Sequence, residues 1–251
     1  MADLTKSLLK TILDKPSQVI QRKIANSRIA DMHRSIELWA EGERSRGNYG
    51  TLFNLDALAF KDLIRFQHMP NIQFLEIGCF LGFTSNFLVD NFLQGSGSKL
   101  TCIDPWINYS ESTENTIAGY DTIINNETYA LFSQNTQRNH DKLIIHRGLS
   151  KEVLPSISTR FHFVFIDGDH STSAVWKDAV LSISLLVKGG FILFDDYDWS
   201  EGKSNPKEAI DYFESYFKNY VQKIPTYNNQ RLFKLVRSVD TEISLELNRF
   251  D

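Results

Sequence analysis

The sequence predicts a doubly wound α/β domain, and three observations carry that expectation. From residue 73 onward short apolar runs recur, QFLEIGC, KLTCIDPW, KLIIHRG, FHFVFIDG and GGFILFDD. Runs that are apolar on both faces mark strands of a parallel sheet covered by helices on either side. Helix-length segments such as TSNFLVDNFL separate them, which is the alternation that builds such a sheet. Near the C-terminal end, NPKEAIDYFESYFKNY reads as a helix and VQKIPTYNNQRLFKLVR as two strands about a Tyr-Asn-Asn turn, which adds an antiparallel edge pair.

Each element follows in chain order. The opening MADLTKSLLKTILDKP carries lysines at 6, 10 and 15 among its apolar positions, so neither a signal-peptide apolar region nor a membrane span is expected there and a cytoplasmic protein is. Ile29, Met32, Ile36 and Trp39 recur at helical spacing up to a polar stop at EGERSRGNYG, so residues 1–50 read as an N-terminal helical extension. Residues 51–240 form the main domain and 241–251 a tail. A second helix is expected from Asn54, as N-cap, to Phe66, with Leu55, Leu58 and Phe66 turned inward. Between the second and third strands, Tyr109 to His140 is rich in Ser, Thr, Asn and Glu and longer than a connection needs. It reads either as a lid or binding element or as an ordinary surface helix with solvated flanks.

Composition bounds the function. With 251 residues, 42% of them hydrophobic, the chain can bury a sizeable core, and its formal net charge of −4 leaves no basic stripe for a phosphate backbone. A small-molecule substrate is therefore expected rather than nucleic acid. Cys79 and Cys102 lie in apolar runs at a spacing that suits neither zinc nor a disulfide framework, so both are expected as buried, reduced thiols.

Ligands of a doubly wound sheet bind outside the carboxyl ends of its strands, so each run is informative at its end. The first ends in Glu76-Ile-Gly78-Cys-Phe-Leu-Gly82-Phe-Thr84, where glycines allow a tight turn and close backbone approach. Phe80 and Leu81 break the G-x-G-x-x-G pattern of dinucleotide sites. A cationic, phosphate-free nucleoside such as S-adenosylmethionine suits Glu76 better. The second run ends at Asp104, a carboxylate placed to accept hydrogen bonds from both hydroxyls of a ribose, followed by Trp106 as a packing residue or an adenine platform. The third ends in Arg147-Gly-Leu-Ser150, whose serine is a candidate for the adenine edge.

EIGCFLG, the acidic Asp104, IDGDH and GGFILFDDY in this order resemble a class I S-adenosylmethionine-dependent methyltransferase over roughly residues 50–240, nearest to the metal-dependent O-methyltransferases of the catechol and macrocin kinds. The resemblance implies a Rossmann-like sheet of seven strands, mostly parallel with an antiparallel edge strand. It makes Gly78 and Gly82 the cofactor loop, beside the cofactor-binding Glu76 read above, Thr84 a donor to the methionine carboxylate, Asp104 the ribose ligand and Ser150 a neighbour of the adenine. It implies metal ligands at Asp167, Asp195 and Asp196, where many relatives have an amide in place of Asp196. His170 falls where the catechol enzymes have a lysine base and the macrolide-sugar enzymes a histidine.

The residues argue for a cation independently. Asp167, Asp169, Asp195, Asp196 and Asp198 follow two strands expected to be neighbours, and like charges in one cleft repel unless a cation neutralises them or some take up protons. All-oxygen ligands favour a hard ion, most simply Mg²⁺, with Mn²⁺ or Ca²⁺ as alternatives. The opposing reading sends Asp169 and Asp198 to solvent, makes Asp195 a cap, and makes His170 the cap of the helix that follows or a supporting hydrogen-bond partner. On the functional reading His170 is the general base that takes a hydroxyl proton before methyl transfer. The acceptor is then a small-molecule hydroxyl, a sugar or other diol, with homo-oligomerisation open. A metal-independent N- or O-methyltransferase, a nicotinamide-dependent oxidoreductase and a non-catalytic binding module are the rival readings.

Overall fold

A computed structural model describes residues 30–32, 34–49, 57–107, 127–200, 205–226, 229–239 and 247–250. The chain divides into two compact units, residues 1–42 and 43–251. In the first, the described residues from 30 to 42 are helical, with Ile36 and Ala40 buried and Met32 and Trp39 half-buried, as the apolar stripe predicts; Ile29 lies outside the described residues. The division places Glu43 to Tyr49 with the larger unit.

The larger unit is built on one seven-stranded sheet. Its strands are β1 (Gln73–Ile77), β2 (Lys99–Asp104), β3 (Leu143–Arg147), β4 (Phe161–Ile166), β5 (Leu186–Phe194), β6 (Val221–Ile224) and β7 (Arg231–Leu235). They lie in the order β3-β2-β1-β4-β5-β7-β6. The first five pair in parallel, and β7 runs antiparallel to both β5 and β6. The predicted antiparallel pair is thus at its edge, with β7 inserted between β5 and β6. Strand order reverses between β1 and β4, so the switch point falls where their carboxyl ends separate.

Period-two alternation decides which helix each strand residue meets. Phe74, Phe163 and Phe165 share one face with Phe60, Phe87 and Phe92, and the Phe60 ring lies 5.0 Å from Phe87 and 6.0 Å from Phe165. Ile77, Val164, Ile166, Ile192 and Phe194 face the other way, onto Trp176, Ile183, Phe213 and Phe217. Each of these buried aromatic side chains contributes about 1.5–3 kcal/mol over its exposed state, which is why the sheet's centre is held fast.

Among the described residues of the larger unit the longer helices are α1 (Phe83–Phe92), α2 (Glu127–Asn135), α3 (Thr172–Ile183) and α4 (Pro206–Tyr216), with a single helical turn at Ser150–Val153. α3 begins at Ser171, whose side chain accepts from the Ala174 amide at 3.3 Å, so the cap is Ser171 and not His170. The segment predicted as a second helix is a 3₁₀ helix over Ala57–Phe66, and its expected cap Asn54 and Leu55 lie outside the described residues. So do residues 108–126, including Tyr109 of the predicted lid. Cys79 and Cys102 are buried and free, as expected.

Candidate active site

The carboxyl ends of β1, β2, β4 and β5 converge at the switch point. Gly78 stands there at φ +84°, and a Cβ on it would lie 1.9 Å from the carbonyl oxygen of Asp167, so only glycine lets β1 and β4 leave the sheet side by side. Gly82, also at φ +84°, opens α1 and lies so close to Thr136 that a Cβ would be 2.4 Å from its methyl group. Thr84 follows on the first turn of α1, half-buried, among backbone N–H groups that have no acceptor within the helix.

The loop is pinned by the residue predicted to hold a ribose. One oxygen of Asp104 accepts from the amides of Cys79 at 2.8 Å and Phe80 at 2.9 Å, and the other from the Trp106 amide at 2.6 Å. The Trp106 indole closes the arrangement by donating to the Phe80 carbonyl at 2.7 Å. A carboxylate offers about four lone-pair sites, so Asp104 keeps about one for a ligand rather than the pair that two ribose hydroxyls would use. Burial pushes its carboxyl up while the three amides hold it down.

Glu76 is displaced further from its expected role. It alternates onto the α1 face of β1, is fully buried, and accepts from the Ser85 hydroxyl at 2.5 Å. Burial pushes its carboxyl up to about 8, against the Ser85 bond that favours ionisation. The residue therefore supports the loop from beneath and presents no surface to a ligand. Its second oxygen is buried without a partner among the described residues. Ser150 is likewise engaged: its hydroxyl donates to buried Asp178, whose carboxyl burial raises to about 7.

The acidic cluster lies next to this loop because β4 and β5 are parallel neighbours. The Asp167 amide continues the β1 ladder to Ile77 at 2.9 Å, and the Asp195 amide continues the β4 ladder to Ile166 at 3.0 Å. Ligating atoms of Asp167, His170 and Asp196 lie within 4.8 Å of one another. His170 Nε2 is 2.9 Å from an Asp196 oxygen, and its ring stacks on Trp199 at 4.9 Å. Asp196 sits at φ +52°, a left-handed conformation that aspartate tolerates better than most residues. Burial pushes Asp167 well above the usual carboxylate range, reinforced by Asp195 and Asp196, and burial together with Asp196 brings Asp195 to about 6. The carboxylate oxygens of this cluster could hold a hard divalent cation such as Mg²⁺ or Mn²⁺, with the imidazole beside it.

One oxygen of Asp195, the third predicted ligand, accepts the Asp196 amide at 2.9 Å and the other the Gln230 side chain at 3.0 Å, which leaves a lone pair on each. Asp169 and Asp198 are exposed, with Asp169 accepting the Ser171 amide at 2.7 Å.

Sequence reading missed the support on the far side of the loop. Glu43 is fully buried and accepts both nitrogens of Arg138, at 3.0 and 2.7 Å, and the Asn86 side chain at 2.9 Å. The Tyr49 hydroxyl donates to it as well. The Asn135 side chain donates to the Leu81 carbonyl within the loop at 2.9 Å and to Asn48 at 3.0 Å. The available signal was a glutamate in a polar stretch, which by itself indicates a solvated face.

Comparison with known proteins agrees with this geometry. Residues 75–197 match the family described as a methyltransferase domain. Protein R132 of Acanthamoeba polyphaga mimivirus is 25% identical over 211 residues, covering 75% of this chain and 90% of its own. Among solved structures, cofactor-bound Rv0187 from MTB superposes with a TM-score of 0.53 at 15% identity, over 83% of this chain and 91% of that one. The O-methyltransferase TomG of Streptomyces achromogenes, in complex with SAM, gives 0.53 at 15% over 84% and 89%. An rRNA-methylase described as putative, from Clostridium thermocellum, gives 0.52 at 13% over 74% and 100%. At these identities the structural likeness is one of fold. No helix among the described residues is long and apolar enough to cross a membrane. Over residues 75–197 the chain thus carries a methyltransferase domain, on a sheet ordered 3-2-1-4-5-7-6 with its glycine loop at the switch point.

Proposed function

We propose that the protein is an O-methyltransferase that acts on a hydroxyl of a small molecule, a sugar or other diol, with a divalent cation held by Asp167, Asp195 and Asp196 and with His170 beside it as the general base. The observation that carries this reading is the convergence of Asp167, His170 and Asp196 within 4.8 Å beside the cofactor loop. The net charge of −4 supports a small acceptor over a nucleic acid.

S-Adenosylmethionine supplies a methyl group already activated on a sulfonium, so the chain's task is alignment and exclusion of water. The loop from Gly78 to Gly82 lets backbone approach the nucleoside. Thr84 and the first turn of α1 receive the methionine carboxylate, which the positive end of a helix favours. Asp104 gives its remaining lone pair to the ribose, and Ser150 accepts from the adenine edge. A bound cation lowers the pKa of an acceptor hydroxyl as a Lewis acid. Asp196 holds the imidazole through Nε2, which leaves Nδ1 of His170 to take the hydroxyl proton. Trp199, stacked on that ring, fixes its plane and offers an apolar surface to a sugar face.

Calorimetry with S-adenosylhomocysteine on wild type and Asp104→Ala, followed by an acceptor screen with and without chelator, tests this. Micromolar binding lost in the variant, with turnover abolished by chelation, is expected. His170→Ala is expected to lower turnover about 10²–10⁴-fold with little effect on cofactor affinity. A second reading, a methyltransferase that needs no cation, is favoured by the His170–Asp196 pair, which is complete by itself; full activity after chelation selects it.

A further inference from the structure

Two amides on the lead-in to β7 carry an inference beyond this reading, although it rests on it. In a doubly wound sheet the parallel strands bring their carboxyl ends to the site. An antiparallel strand brings its amino end instead. β7 pairs with β5 so that Phe194 faces Arg231, which sets Asn229 and Gln230 beside Asp195 to Asp198.

Their contacts are specific. The Gln230 side chain, 4% exposed, donates to an Asp195 oxygen at 3.0 Å. The amide nitrogen is the group facing Asp195, since a carboxylate only accepts, and the amide oxygen of Gln230 is left buried without a partner among the described residues. The Asn229 side chain donates to an Asp196 oxygen at 3.3 Å and accepts from the Asp198 amide, while its own carbonyl accepts from the Tyr197 amide at 2.8 Å. The Asp196 amide occupies the other Asp195 oxygen at 2.9 Å.

We infer that Gln230 and Asn229 are positioning residues that fix the two adjacent aspartates for a cation. Gln230 and the Asp196 amide each hold one oxygen of Asp195, which sets its orientation and leaves a lone pair on each oxygen. Asn229 holds one oxygen of Asp196, so that the other faces His170 and Asp167. A neutral amide suits this place because a further carboxylate would add repulsion to a crowded site, and a cationic side chain would compete with the ion for Asp196. Supporting contacts of this kind are worth about 10–100-fold in metal affinity where they have been removed.

The test is Mn²⁺ binding, followed by electron paramagnetic resonance, in wild type, Gln230→Met, Asn229→Ala and Asp167→Asn, with S-adenosylhomocysteine affinity measured in parallel. Gln230→Met keeps the length of the side chain and removes the donor. It is expected to weaken Mn²⁺ binding by about 10-fold or more and to alter the spectrum of the bound ion. Its S-adenosylhomocysteine affinity is expected to stay within about twofold of wild type, because the cofactor loop is built from other strands. Retention of wild-type Mn²⁺ affinity by Gln230→Met while Asp167→Asn loses it overturns the inference and leaves the cation reading standing. Equal loss of Mn²⁺ and S-adenosylhomocysteine affinity marks general loosening and also overturns it. If the wild type binds no Mn²⁺, or Asp167→Asn binds as well as wild type, the cation reading falls and the inference with it. Should Gln230→Met not fold, the half-buried Asn229→Ala decides by the same criteria.

Discussion

At the scale of the residue, the loop's chemistry is set by groups that never face a ligand. Glu76 is buried beneath Ser85 with its carboxyl raised to about 8 from an ordinary value near 4.5. Because the folded value lies above the unfolded one, its contribution to stability is full below about pH 4 and is lost as the pH climbs through 8. Glu76→Gln is therefore expected to raise the melting temperature relative to wild type at pH 9, and by much less at pH 5. Each kcal/mol is worth about 2–4 °C in a chain of this size, so thermal unfolding at the two pH values resolves it. A difference that does not change with pH would sink the assignment. Gly78→Ala is expected to cost about 2–4 kcal/mol and to abolish S-adenosylhomocysteine binding, since its Cβ would meet the Asp167 carbonyl at 1.9 Å. Urea unfolding and calorimetry check the two losses separately.

Elements were read from the sequence to the extent that their signals were local. The apolar runs ending in Glu76-Ile77, Asp104, Asp167 and Asp195 became β1, β2, β4 and β5, because a strand buried on both faces writes itself as consecutive apolar residues. Over its described residues the Ala57–Phe66 segment is wound more tightly than expected. What could not be read was the contact between α2's end, α1 and the stretch from Glu43 to Tyr49. Glu43 and Arg138 are 95 positions apart, and neither lies in a pattern that announces the other. Arg138→Met strands a carboxylate that is wholly buried and is expected to destabilise by about 3–5 kcal/mol. Adding Glu43→Gln is expected to recover part of that loss, and a double-mutant cycle by urea unfolding measures the coupling. Additive losses would show that the pair is not a unit.

For the whole molecule, the acidic site opposes the fold that builds it. Asp167, Asp195 and Asp196 are brought together by neighbouring strands, and their mutual repulsion, on top of burial, is what lifts the Asp167 and Asp195 carboxyls. Asp167→Asn is expected to raise the melting temperature in the presence of chelator, whereas saturating Mg²⁺ is expected to raise it in the wild type and not in the variant. Differential scanning calorimetry with and without the ion decides it; a variant that still responds to Mg²⁺ would exclude Asp167 as a ligand.

By itself the sequence determined the class of sheet, the strands that carry the site and most of the residues at their ends, because apolar periodicity and glycine placement act within a few positions. Tertiary structure alone decided which groups those residues meet. It made Asp104 the clasp of the glycine loop as well, through amides 24 and 25 positions away. It put Glu76 underneath, and it set His170 beside Asp167 and Asp196. It also brought Gln230 to Asp195 across 35 positions by inserting β7 antiparallel. The physical reason is common to all four: a carboxylate's role is fixed by which donors occupy its lone pairs, and those donors arrive through the order of strands in the sheet rather than their order in the chain.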